Sequence, residues 1–128
     1  MSEKLGIKAG HQVSLCGAPK NFGRTLDPLP DDVVVRTRPS RQAAVVLLFS
    51  RAASKLRVAF PAAVERLPTG GMIWVAWPKK ASGEPTDLTE NVVREIGLAT
   101  GLVDIKVCAI DDTWSGLKFV RRRVPART

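Results

Sequence analysis

The sequence contains no tyrosine, a single histidine and only two cysteines among 128 residues. Each scarcity removes a class of chemistry. His11 stands ahead of the first apolar run, at the opposite end from where α/β proteins bind their ligands, so a histidine-dependent triad is excluded. Cys16 and Cys108 are far apart, each inside an apolar run, with no C-x-x-C pair and no Cys/His cluster. A zinc site therefore has no ligand set, and two buried, reduced thiols are expected. With four Phe, three Trp and no Tyr, the chain is poorly equipped for an aromatic platform that stacks bases. No apolar run approaches the roughly 20 residues of a membrane span, and the polar start lacks a signal-peptide core. The expectation is a cytoplasmic protein with no membrane partner, no metal and no cofactor.

What is present is positive charge. The formal net charge is +8, with 10 Lys/Arg against 4 acids in residues 1–64 and 10 against 8 in residues 65–128. That field favours a nucleotide, a nucleic acid or an acidic protein as partner. Hydrophobic residues at 45% and charged residues at 25% are enough apolar material for a buried core, and the length suits one domain. A single domain over 1–128 is expected, with 1–10 and 124–128 flexible.

Periodicity places the elements. Gln12 to Cys16 and Val33 to Arg36 are short strands, and the continuous apolar run Ala43 to Ser50 suits a strand covered on both faces. Leu56, Phe60, Ala63, Val64 and Leu67 recur at helical spacing. Pro61 implies a kink there, or a second helix that starts there. Met72 to Trp77 is the next strand. Asp87 with Glu90 forms a capping box for a helix whose stripe is Leu88, Val92, Ile96 and Ala99, ended by Gly101 in a left-handed turn. In Leu102 to Ile110, Val103, Ile105, Val107 and Ala109 alternate as the dry face of a strand. Asp111-Asp112-Thr113 turns the chain, Trp114 packs on the core, and the chain returns antiparallel to Arg122. This order defines a three-layer α/β fold, Rossmann-like, with a mostly parallel sheet of about six strands ending in an antiparallel hairpin.

Several stretches carry a resemblance. "LGIKAGHQVSLCGAP", "VERLPTGGMIWVAW" and the closing hairpin through Trp114 resemble the class I methyltransferase variant of the Rossmann fold in reduced form. A helix–strand pair is missing between the second and third strands. "LGIK", "WVAWPKKASG", "TDLTENVVREIGL" and "GLVDIKVCAIDDTWSGLKFV" resemble a bacterial family of small proteins known only as a domain of unknown function. The methyltransferase resemblance implies a glycine-rich turn after the first strand and acids that grip the cofactor. Here Leu15 stands at the acid position, Gly17 alone keeps its glycine, Pro19 and Asn21 replace others, and the second strand ends in Arg36-Thr37-Arg38. After the third strand comes Phe49-Ser50-Arg51, with no catalytic loop of the Asn-Pro-Pro-Tyr kind.

Ligands of open α/β sheets sit beyond the carboxyl ends of the strands. The residues projected there are Gly17, Lys20, Arg36, Arg38, Ser50, Arg51, Lys79, Lys80, Ser82 and Gly83. The loop "PKKASGEPTD", about nine residues from Lys79 to Asp87, exceeds the median connection of roughly 4–6. It places two point charges before a helix N-terminus. A solvated basic rim is the alternative for all ten residues. Lacking a catalytic set, the chain is expected to be a non-catalytic module that binds an anionic ligand (a nucleotide or nucleic acid) or an acidic partner. The alternatives are a methyltransferase-type enzyme with a non-standard cofactor site, or a protein-interaction module. Arg121 to Arg123 form either a solvated edge or a phosphate-contacting patch.

Overall fold

The computed structural model describes residues 2–20 and 22–121. The elements follow as α1 (Ser2–Leu5), β1 (Gln12–Cys16), α2 (Phe22–Leu26), β2 (Val34–Arg36), β3 (Val45–Phe49), α3 (Ala53–Arg66), β4 (Met72–Pro78), α4 (Glu90–Leu98), β5 (Leu102–Ala109) and β6 (Trp114–Arg121). The strands form one sheet in the order β2-β1-β3-β4-β6-β5. β1 pairs in parallel with β2 and β3, and β3 with β4, whereas β6 runs antiparallel to β4 and β5. The mixed α/β class and the terminal hairpin agree with the sequence reading.

Two cores sandwich the sheet. On one face α3 and α4 deliver Leu56, Phe60, Val93 and Ile96 onto Val46, Leu48, Val75 and Leu117. On the other, α1 and α2 deliver Leu5, Phe22 and Leu26 onto Val13, Leu15, Leu47 and Trp74. All five residues of β3 are buried, which is why its sequence shows no polar alternation. Within residues 1–10, expected to be flexible, Leu5 and Ile7 are buried, and the Leu5 carbonyl accepts the indole N–H of Trp74 at 2.9 Å. The stretches 122–123 and 124–128 lie outside the described residues. No helix among those described is long and apolar enough to cross a membrane.

Residues 37–44 join β2 to β3 without a helix. They pass over β1 on the α3 side, where the buried Ser14 hydroxyl donates to the Arg38 carbonyl. β2 is an edge strand.

Three local expectations are corrected. Asp87 does not cap α4; Thr89 does, accepting from the Val92 amide at 3.2 Å. The Asp87 carboxylate instead accepts the Ala53 amide at 2.8 Å, which closes the first turn of α3, whose own N-cap, Ala52, has no side-chain acceptor. Asp87→Ala is expected to cost about 1 kcal/mol, read as a lower denaturant midpoint. Second, the buried residues of α4 are Val93, Ile96 and Gly97, while Ala99 is exposed and Leu88 is buried ahead of the helix. Third, the expected dry face of β5 is wet: Ile105 and Val107 are 54% and 45% exposed. β5 is the other edge, and its register shifts between Asp104 and Lys106, which breaks the alternation a flat strand would keep. Pro61 lies inside one continuous α3 rather than at the start of a second helix.

α4 is tied to β5 by Arg94, which donates from Nε to Asp104 at 2.8 Å and from Nη2 to Glu90 at 2.8 Å. The hydrogen bond from Arg94 holds the Asp104 carboxyl below its usual range, against the opposing effect of desolvation.

Candidate functional site

Gly17 occupies the turn after β1 with φ of 72°, a conformation that glycine adopts without steric cost. A Cβ there would lie 3.1 Å from the Phe49 carbonyl oxygen, so the β1 turn and the end of β3 meet backbone to backbone. The chain leaves β1 for β2 on one side and returns as β3 on the other. Such a reversal opens a crevice at the carboxyl ends of the strands.

Depressions flank Gly17 on both sides. One, about 260 Å³, lies toward β3 and is walled by Ser50, Arg51, Lys55, Ala59 and Trp114. The other, about 400 Å³, lies toward β2 and is walled by Ala18, Lys20, Phe22, Val35 and Thr37. The wall is aromatic: Phe22, Phe49 and Trp114 stack edge to face, with centroids 4.8 and 5.0 Å apart. The Arg51 guanidinium lies 4.9 Å from the Trp114 ring centroid and its Nε is 3.5 Å from Glu84. The Ser50 hydroxyl donates to the Ala52 carbonyl at 3.1 Å.

The ten residues singled out from sequence do not gather in one place. Gly17, Lys20, Ser50 and Arg51 border the crevice. Arg36, at the end of β2, and Arg38, two residues on, are exposed, and the wall there is formed by Val35 and Thr37. Lys79 and Lys80 line a separate depression that the acidic Glu84 and Glu90, with Thr89, also line. The loop is occupied with itself. Ser82 donates to the Lys79 carbonyl at 2.6 Å and accepts from the Glu84 amide at 3.2 Å, and the Gly83 amide donates to Lys80. Lys80–Ser82 is a single 3-10 turn. Thr86 fastens the loop to the end of β3 through the Arg51 carbonyl, at 2.6 Å.

Sequence reasoning missed Trp114, Lys55 and Thr37 as crevice walls. Trp114 had a usable signal. It opens a strand antiparallel to β4, opposite Pro78, so its start falls where the parallel strands end. Asp111 is committed to the turn, accepting the Thr113 and Trp114 amides at 2.8 Å each. Trp114 itself is buried, as the packing reading of this turn requires. No group of three or more His, Cys, Asp or Glu suited to a metal occurs among the described residues.

No family model and no curated protein matches the chain. Solved structures do share the fold, which is the methyltransferase-like variant of the Rossmann fold. The N-methyltransferase NodS from Bradyrhizobium japonicum WM9 superposes with a TM-score of 0.57 at 13% identity, over 87% of this chain and 85% of that one. Aeropyrum pernix fibrillarin, solved with natively bound S-adenosyl-L-methionine, gives 0.58 at 10% identity, over 88% and 67%. PigF, solved with SAH, gives 0.59 at 8% identity, over 88% of this chain but only 56% of its own length. At such identities the likeness is one of fold. The expectation of a non-catalytic anion-binding module is corrected by these neighbours, one an N-methyltransferase and two solved with S-adenosyl-L-methionine or SAH, which speak for the methyltransferase-type alternative.

Proposed function

We propose that the chain is a methyltransferase-type domain that binds an S-adenosylmethionine-like cofactor in the crevice over Gly17, with contacts unlike the usual ones. The observation that carries this reading is the backbone approach at Gly17, at the reversal of strand order, with a depression on each side. The residues present fit such a group. Gly17 keeps the turn free of a side chain, and the two depressions leave room for the two halves of a long ligand. Lys55 and Arg51 would face the carboxylate of its amino-acid half, supplying point-charge and planar donors. Thr37 would offer a hydroxyl toward the sugar, in place of the missing acid at the end of β2. Trp114 and Ala59 would shield the middle from water. When bound, the cofactor supplies an activated methyl group. The chain's own part is to bind, orient and exclude water, since among the described residues no histidine or carboxylate lines either depression. The bacterial family resemblance and a cytoplasmic setting belong to the same reading.

Thermal unfolding with S-adenosylmethionine tests it. Ligand at a hundredfold excess over its Kd is expected to stabilise the fold by about 2.7 kcal/mol, as a concentration-dependent rise in Tm. An equal rise from inorganic phosphate alone, or no rise at all, would overturn the reading.

A further inference from the structure

Away from the crevice, four lysines from α1, the segment after it, β5 and β6 come together. Lys106 and Lys118 are direct partners in the antiparallel register, a placement in which like charges repel. The Lys118 ammonium lies 6.0 Å from the Trp74 ring centroid, and a Cβ on Gly6 would come within 3.4 Å of it, so the end of α1 adjoins it. Lys4 reaches across to donate to the Ala109 carbonyl, at the end of β5, at 2.9 Å. Burial, and then the charges of Lys106 and Lys8, hold the Lys118 ammonium below its ordinary range. Lys4 and Lys106 both act on Cys108, against the burial that pushes its thiol up. Among the described residues, none of these lysines joins an ion pair; those present are Arg51–Glu84, Arg94–Glu90 and Arg94–Asp104.

We propose that this lysine face binds the phosphate backbone of a nucleic acid. Phosphates laid between Lys106 and Lys118 would remove the repulsion that their register builds in. Lys4, Lys8 and Lys106 are exposed, and the four ammonium groups are carried by separate elements rather than converging in one loop. An extended polyanion can set successive phosphates against ammonium groups carried on separate elements. Exchange of condensed counterions for ammonium groups is the dominant source of affinity for such a partner. The face needs no aromatic platform, which the composition does not provide.

Fluorescence anisotropy with a labelled, mixed-sequence, 20-nucleotide single-stranded RNA, between 50 and 200 mM salt, tests the proposal. The double variant Lys8→Gln/Lys106→Gln is expected to bind about tenfold more weakly at the low-salt end. Its slope of log affinity against log salt should be shallower by about 1.4, at ~0.7 per lost phosphate contact. Lys118→Gln alone is expected to move both quantities in the same direction by about half as much, so a folding defect in one variant does not decide the matter. Arg57→Gln, on exposed α3 across the sheet, is expected to leave the slope unchanged. Absence of RNA binding by the unsubstituted protein at 50 mM salt would overturn the proposal, as would unchanged affinity and slope in both folded lysine variants. Inorganic tripolyphosphate that competes as well as unlabelled RNA, phosphate for phosphate, would also overturn it, by assigning the face to a small anion.

Discussion

Gly17→Val is expected to abolish stabilisation by S-adenosylmethionine while leaving a folded protein. Two effects act on one residue. The positive φ of 72° costs an L-residue about 1–2 kcal/mol, an amount most domains survive. The added carbons would also press on the Phe49 carbonyl, which a Cβ already meets at 3.1 Å, and would occupy the ridge over which a ligand passes from one depression to the other. Binding measured by calorimetry should weaken by well over tenfold, and Gly17→Ala should fall between the two. A folded Gly17→Val protein that binds the cofactor with unchanged affinity would place the site elsewhere.

The largest loss of stability is expected from Phe119→Ala. Phe119 is fully buried, stacks edge to face on Phe60 with centroids 5.1 Å apart, and presses against α4 so closely that a Cβ on Gly97 would overlap its ring at 2.1 Å. Truncating such a ring costs about 3–5 kcal/mol. The same contact reverses an ordinary rule. Gly→Ala inside a helix usually gains about 1 kcal/mol, but Gly97→Ala should lose about 1–3 kcal/mol because the core must shift to admit a methyl group. In the Phe119→Ala background that loss should vanish or change sign, because the obstructing ring is gone. Urea midpoints of the two single variants and the double variant measure the coupling. Stabilisation by Gly97→Ala in the unsubstituted protein would refute the packing described.

The elements that sequence reveals well are those whose burial is decided locally. The unbroken apolar run Val45–Phe49 identifies a central strand because both its faces are covered, and Gly101 identifies a helix end because its φ of 92° suits glycine. Where the deciding partner is distant, the pattern misleads. Asp87 and Glu90 look like a capping box, yet the amide that Asp87 accepts belongs to Ala53, 34 residues away. Val103, Ile105, Val107 and Ala109 look like a dry face, yet nothing in their spacing reveals that β5 is the outermost strand. The candidate site divides in the same way. Gly17 is legible from its turn, whereas the separation of Lys79 and Lys80 from Lys20 depends on where β4 and β1 stand in the sheet, with β3 between them. Trp114 reaches the crevice only because β6 runs backwards.

The register shift in β5 also bears on how the protein behaves at high concentration. A sheet this small has two free rims that can recruit another molecule's backbone. β2 offers only three residues, followed closely by Arg38 and Pro39, too short a stretch to template much. β5 offers eight and carries exposed Ile105 and Val107, the ingredients of a sticky seam. The interruption between Asp104 and Lys106 breaks that seam near its middle and sets a lysine beside it, two devices that discourage edge-to-edge growth. A chain that lost the charge on Lys106 is therefore expected to be the more prone to fibrillar or amorphous precipitation at high concentration.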